Sequence, residues 1–232
     1  MIKKIYLLLA LTWVCNALIA QTVLKNLKYG VKSGVNLASV ALLGGGATQN
    51  IKDGVSNVTS FYFGGYAELP VSNYFSIQSG LSISGKGSKT NFVINQPSLI
   101  GILPVNYARE TNIMYLEAPI NAVFNFKNFY VGAGPYFAYG VLGTEKINVT
   151  TNAFGGSLQI QPPKDGNVKF GENAGEITPF DYGANFLLGY QLKNGFNFGV
   201  KYGLGLGKTN VVSGYDVKAS NRVLSVLVGF SF

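Results

Sequence analysis

Six ionisable side chains, Lys32, Glu68, Lys86, Glu117, Asp181 and Lys201, carry the chemistry open to the interior of this 232-residue chain. Each falls on the small or polar phase of a segment whose other phase is apolar, so all six are expected on one side of a sheet. Three ammonium groups and three carboxylates balance, and what they offer is ion pairing across an enclosed space. Catalysis of the usual kinds is not on offer. The chain has no His, which removes Ser-His-Asp, Asp-His and His-dependent lipid-hydrolase or acyltransferase sites. Its single Cys, Cys15, lies in an apolar N-terminal stretch, so no metal cluster of Cys and His is possible. No Gly-rich phosphate loop opens onto a helix. No enzymatic activity, no metal and no cofactor are expected.

The alternating phases belong to eight extended segments: residues 28–36, 60–71, 75–86, 112–126, 129–143, 180–192, 196–206 and 222–232. The last of them is the clearest. Leu224, Val226, Val228, Phe230 and Phe232 fall on one face, and Val223, Ser225, Leu227, Gly229 and Ser231 on the other. No helical pattern appears after residue 20 that could cover such apolar faces, and lipid is the alternative partner. The connections support this reading. Those at 72–74, 127–128 and 193–195 are short, those at 42–59, 87–109, 144–179 and 207–221 are long, and the two kinds alternate. The expected fold is therefore all-β: an eight-stranded antiparallel transmembrane up-and-down β-barrel with short periplasmic turns and long extracellular loops. A soluble barrel of the lipocalin type would place the apolar phases inside, and the outward sets here are too aromatic and too free of charge for water.

Targeting and charge agree with that placement. Lys3 and Lys4, the apolar run Ile5 to Val14 and Leu18-Ile19-Ala20 before Gln21 form a secretory signal peptide over residues 1–20, leaving 21–232 as the barrel domain. The formal charge is +8, of which Lys3 and Lys4 contribute two, and the rest is dispersed without the basic runs that track nucleic-acid phosphates. Only 12% of residues are charged, with 30 Gly and 13% aromatics. That is sparse for a water-facing surface.

Within a barrel of this size the interior holds side chains and little else. The six charged groups form a lumen ion-pair network, packed by Tyr62, Tyr66, Tyr115 and Tyr136, and two roles are open to it. It is a structural plug, or it is a gate whose pairs exchange partners to pass water or ions. The loops are the other candidate site. Phe92, Val93, Ile94, Leu99, Ile100, Ile102, Leu103 and Val105 in the second long loop, with Phe154, Leu158 and Ile160 in the third, give them more apolar surface than solvated loops need. Either they meet a partner or they fold over the barrel mouth onto each other. Two β-like pieces of the third loop, 146–151 and 157–161, are expected to extend a barrel hairpin beyond the membrane.

Specific motifs point to a family. Tyr115-Leu-Glu-Ala-Pro119, Gly132-Ala-Gly-Pro-Tyr136, Phe180-Asp-Tyr-Gly183 with Gly189-Tyr190, Lys201-Tyr-Gly-Leu-Gly-Leu206 and Val228-Gly-Phe-Ser-Phe232 resemble the PorT-like outer-membrane β-barrel family. The resemblance spans roughly Leu27 to the end, with Ala118 a departure where a bulkier aliphatic residue is expected. It implies an integral barrel of a Gram-negative outer membrane, with some members tied to secretion or gliding machinery. The function expected is structural or interaction-type: a barrel presenting its loops at the cell surface to other envelope or secretion proteins. The alternative is a narrow channel gated by the lumen network. Outer-membrane lipid is the expected surrounding and nucleic acid is not a partner.

Overall fold

The computed structural model describes residues 26–43, 52–98, 101–153, 156–171, 176–207, 209–210 and 218–232. Residues 1–20, read from the sequence as a signal peptide, lie outside them. The described strands are β1 (Lys28–Leu43), β2 (Val55–Ser56), β3 (Val58–Pro70), β4 (Phe75–Ser98), β5 (Gly101–Phe126), β6 (Phe129–Ala153), β7 (Gly156–Asn167), β8 (Phe180–Gln191), β9 (Phe196–Gly205), β10 (Thr209–Asn210) and β11 (Lys218–Ser231). Eight of them form the wall in the order β1-β3-β4-β5-β6-β8-β9-β11, every neighbour antiparallel. The wall closes by pairing β11 back onto β1, from Gly30↔Ser231 to Leu43↔Lys218. Past the last strand, the Phe232 amide donates to the Tyr29 carbonyl at 2.8 Å. Closure leaves the wall without a free edge, which lipid demands because it cannot satisfy backbone polar groups.

Burial is inverted relative to a water-soluble protein. More than half of the side chains enclosed are polar or charged, among them Lys32, Asn36, Lys86, Glu117, Asp181, Asn185, Asn197 and Lys201, whereas Phe61, Phe63, Leu81, Ile120, Phe124, Phe137, Phe186, Leu188 and Val226 lie exposed outside. Strand parity sets this, since successive side chains point to opposite faces. Aromatic pairs mark the edges of the apolar band. At the short-turn end Phe75 meets Phe124, Phe129 meets Tyr190, and Phe196 meets Phe230, with ring centroids 4.8–5.1 Å apart. At the other end Tyr139 meets Phe180 at 5.1 Å. Phe129 and Tyr139 lie on one strand, and for strands tilted as in such barrels their separation spans about 25 Å of membrane.

The turns at the periplasmic end, 71–74, 127–128 and 192–195, are as short as expected. In the first, Ser72 Oγ accepts from the Phe75 amide at 3.1 Å. In the second, Lys127 itself takes a left-handed backbone, with φ 57°. In the third, Gly195 supplies φ 93°, where a side chain would strain the turn.

The far end departs from expectation. The described residues of 87–109, read as a loop, are the outer parts of β4 and β5, paired from Gly87↔Asn112 to Ser98↔Gly101. β6 likewise runs on to Ala153 and pairs with β7, as the β-like pieces suggested. The result is a sheet, β4-β5-β6-β7, continuing past the barrel, with the two-residue β2 added at the β4 edge. Alternation fails as a guide there because both faces of that sheet lie beyond the apolar band, so neither is held to lipid. β-branched and aromatic content is the signal that remains, in Phe92-Val93-Ile94 and Ile147 to Thr151.

Candidate functional site

The lumen is built in three tiers. In the middle, Glu117 from β5 receives two cations, with Lys86 of β4 at 2.8 Å and Lys201 of β9 at 2.8 Å. Lys86 also reaches Asp181 of β8 at 3.0 Å. Asp181 Oδ2 accepts further hydrogen bonds from the Tyr136 hydroxyl at 3.1 Å and from Asn221 Nδ2 at 3.0 Å. Lys201, Glu117, Lys86 and Asp181 thus form one chain of alternating charge, every member buried. Tyrosine faces complete the shell: Lys86 lies 4.1 Å from the Tyr136 centroid and 5.2 Å from that of Tyr115, and Lys201 lies 4.2 Å from that of Tyr62. Such cation–π contacts hold a desolvated ammonium where water is scarce. The ions come from four strands, so the network ties opposite walls together.

The periplasmic tier holds the remaining two charged residues, and they are not directly paired. Lys32 Nζ donates to Gln78 Oε1 at 3.0 Å, and Gln78 Nε2 in turn donates to Glu68 Oε2 at 2.9 Å. Ser76 holds the other Glu68 oxygen at 2.8 Å. An amide therefore stands between the ammonium and the carboxylate. Parity places Lys32 and Glu68 on the same face but not at the same height: Lys32 pairs across with Gly64, and Glu68 with Lys28. Around Lys32 the rings of Tyr66 and Tyr130 stand 4.5 and 5.4 Å from the ammonium. These rings fit because their neighbours are glycines: Tyr66 covers Gly30, and Tyr130 covers Gly189 and Gly199 so closely that a Cβ there would collide with the ring. Sequence reasoning missed Tyr130 as a lumen ring and Gln78 as a bridge. Tyr130 shares parity with Gly132 and Tyr136, which was the available signal.

Below this tier lies a vestibule of about 300 Å³. Ser72, Asn73, Lys127 and Asn128, from the first two turns, are in its lining, which locates its mouth. The extracellular tier is apolar. Ile113, Tyr115, Tyr136, Ala138 and Ile177 form a buried cluster with Val168 and Phe170 against it. Residues 168–171 and 176–179 are laid into the barrel mouth by backbone bonds, with the Val168 amide donating to Gly143 O at 2.9 Å and the Gly140 amide to Pro179 O at 2.8 Å. The apolar residues of the projecting sheet take another course. Phe92 stacks on Tyr107 with centroids 5.5 Å apart, whereas Val93, Ile94, Leu158 and Ile160 are exposed. Leu99, Ile100 and Phe154 lie outside the described residues.

An outward apolar band, a closed eight-stranded wall and a polar lumen specify a membrane barrel, and the sequence comparison agrees. The family described as outer membrane protein beta-barrel domain matches residues 19–210. This chain belongs to that family. As a member of the outer membrane β-barrel family it is an integral protein of the outer membrane, surrounded there by lipid. No curated protein sequence matches it. Among solved structures it is similar to Ail, the attachment invasion locus protein of Yersinia pestis, at 14% identity over 88% of this chain and 98% of that one, with a TM-score of 0.37. It is similar also to Neisserial surface protein A, at 11% identity over 88% and 95% with a TM-score of 0.39. A third is OprG from Pseudomonas aeruginosa, at 14% identity over 88% and 95% with a TM-score of 0.31.

Proposed function

We propose that this barrel is an interaction-type outer-membrane protein that presents the β4-β5-β6-β7 sheet at the cell surface to another envelope protein. The observation that carries the reading is the projecting sheet itself. β4 and β5 run 24 and 26 residues, well beyond the roughly 10 that cross a bilayer. The excess is organised, with Lys89 paired to Glu110 at 3.3 Å, Arg109 paired to Glu145, and apolar side chains left exposed on it. Exposed apolar residues on an ordered scaffold suit a protein partner. The PorT-like resemblance of the strand motifs supports a partner in a secretion apparatus. The test replaces residues 91–108 by a two-residue Asn-Gly turn and compares cross-linked complexes from intact cells. A partner captured by the full-length barrel and lost from the shortened one supports the reading, and identical complexes from both refute it.

A narrow channel is the second reading, favoured by the vestibule that leads from the periplasmic end toward Lys32. Against it stand the four-residue ion chain and the apolar cap in series. Planar-bilayer recordings of the refolded wild type, Glu117→Gln and Lys201→Met decide between them. Silence in all three is expected, and discrete conductance steps altered by either substitution would move the function into the lumen.

A further inference from the structure

Of the three lumen lysines, two are matched by carboxylates and one is not. Lys86 and Lys201 reach Glu117 or Asp181 within 3.0 Å. Lys32 is just as enclosed, at 6% exposure, yet among the described residues no carboxylate lies within ion-pair distance of it. Its ammonium meets one neutral amide, Gln78, and two tyrosine faces. A buried ammonium is costly without a counter-charge, and the geometry here leaves room for one to arrive. The vestibule of about 300 Å³ is lined by Lys32 itself, and its lining carries Lys28, Lys32 and Lys127 against the single carboxylate of Glu68. Each oxygen of that carboxylate already accepts a hydrogen bond, one from Ser76 and the other from Gln78, the amide that also meets Lys32.

We propose that the vestibule is a binding site for a small oxyanion, the carboxylate or phosphate of a solute entering from the periplasm, with Lys32 as its principal ligand. The anion offsets the excess of Lys28, Lys32 and Lys127 over Glu68 in the vestibule, and Lys28 and Lys127 draw it to the mouth by long-range attraction. Charge-assisted hydrogen bonds to the ammonium fix it beside Tyr66 and Tyr130. The site is blind, since the ion chain and apolar cap close the lumen above it. It is independent of the projecting sheet, so it stands or falls separately from the surface role.

The test is titration of the full-length mature barrel, refolded in detergent micelles, with sodium phosphate and separately with sodium succinate. The readout is the Lys Nζ resonances of protein labelled with ¹⁵N at lysine. Saturable binding by either probe that shifts Lys32, and weakens about tenfold or more in Lys32→Met, supports the site. The tighter probe names the oxyanion. Lys28→Gln/Lys127→Gln should bind more slowly while the Lys32 shift persists. Absence of saturation in wild type up to roughly 50 mM of both probes, or equal affinity in Lys32→Met, overturns the proposal. Should Lys32→Met not refold, the wild-type Lys32 resonance decides alone: its movement with saturation supports the site, and its standing still while others shift overturns it.

Discussion

Glu117 is the residue on which two ammonium groups converge, each at 2.8 Å and each buried. Removing one member of such a cluster exposes the cost of the others, because an uncompensated buried charge is worse than none. Glu117→Gln leaves Lys201 without its ion-pair partner, while Lys86 keeps Asp181. The expected loss is about 3–5 kcal/mol in reversible urea unfolding of the refolded barrel. Adding Lys201→Met to Glu117→Gln should recover part of that loss, and strict additivity of the two changes would show that the pair is not coupled. At this scale the sequence was readable to one coordinate. Parity told which side of the wall Lys32, Lys86 and Lys201 occupy, because a two-residue period has only two outcomes. It could not tell the height of each residue along the barrel axis, which depends on register between strands far apart in sequence. Lys86 and Asp181 meet from β4 and β8, and Lys32 and Glu68 miss each other by the same logic of register.

Strands in the membrane were legible because lipid outside and a polar lumen inside impose opposite demands on alternate residues. The start of β8 at Phe180 and of β9 at Phe196, and the two-residue turn at 127–128, follow directly from the pattern. Beyond the apolar band that pressure is absent, and 87–109 read as a loop although it is paired throughout its described length. The cap formed by 168–171 and 176–179 was equally hidden, since Val168, Phe170 and Ile177 are spaced for neither a strand nor a helix. The closing strand yields a prediction at this level. Phe232 is 76% exposed, yet it stacks edge-on against Phe230 at 5.3 Å, and Phe230 does the same against Phe196 at 5.1 Å. Aromatic rings at this depth anchor the membrane interface. Phe232→Asp should lower the amount of barrel recovered from the outer membrane without changing the amount exported. Wild-type recovery would show that the terminal ring has no part in insertion.

For the molecule as a whole, the decisive property is that across the membrane band charge is enclosed in the lumen and the apolar surface is outside. Salt reaches exposed charges readily and enclosed ones poorly. The stability of this barrel should therefore change by less than about 1 kcal/mol between low and moderate salt, because the Lys201-Glu117-Lys86-Asp181 chain is shut off from solvent. Urea midpoints of refolded protein across a chloride series check this. A steep decline with salt would mean that ions penetrate the lumen and that the cap does not seal it. Chloride is the appropriate anion for the series, since phosphate would engage Lys32 as proposed above.

The pairing of β1 with β11 also has a meaning in time. Every other seam in the wall joins strands that are consecutive around it and can zip as the chain is delivered, but this one joins its first and last members. Until β11 is in place, β1 and β9 each present a row of open backbone groups that neither lipid nor a neighbour satisfies. A chain built this way has no stable half-finished form in a bilayer. Its first and last strands must meet before either edge is satisfied, so the wall forms as one unit.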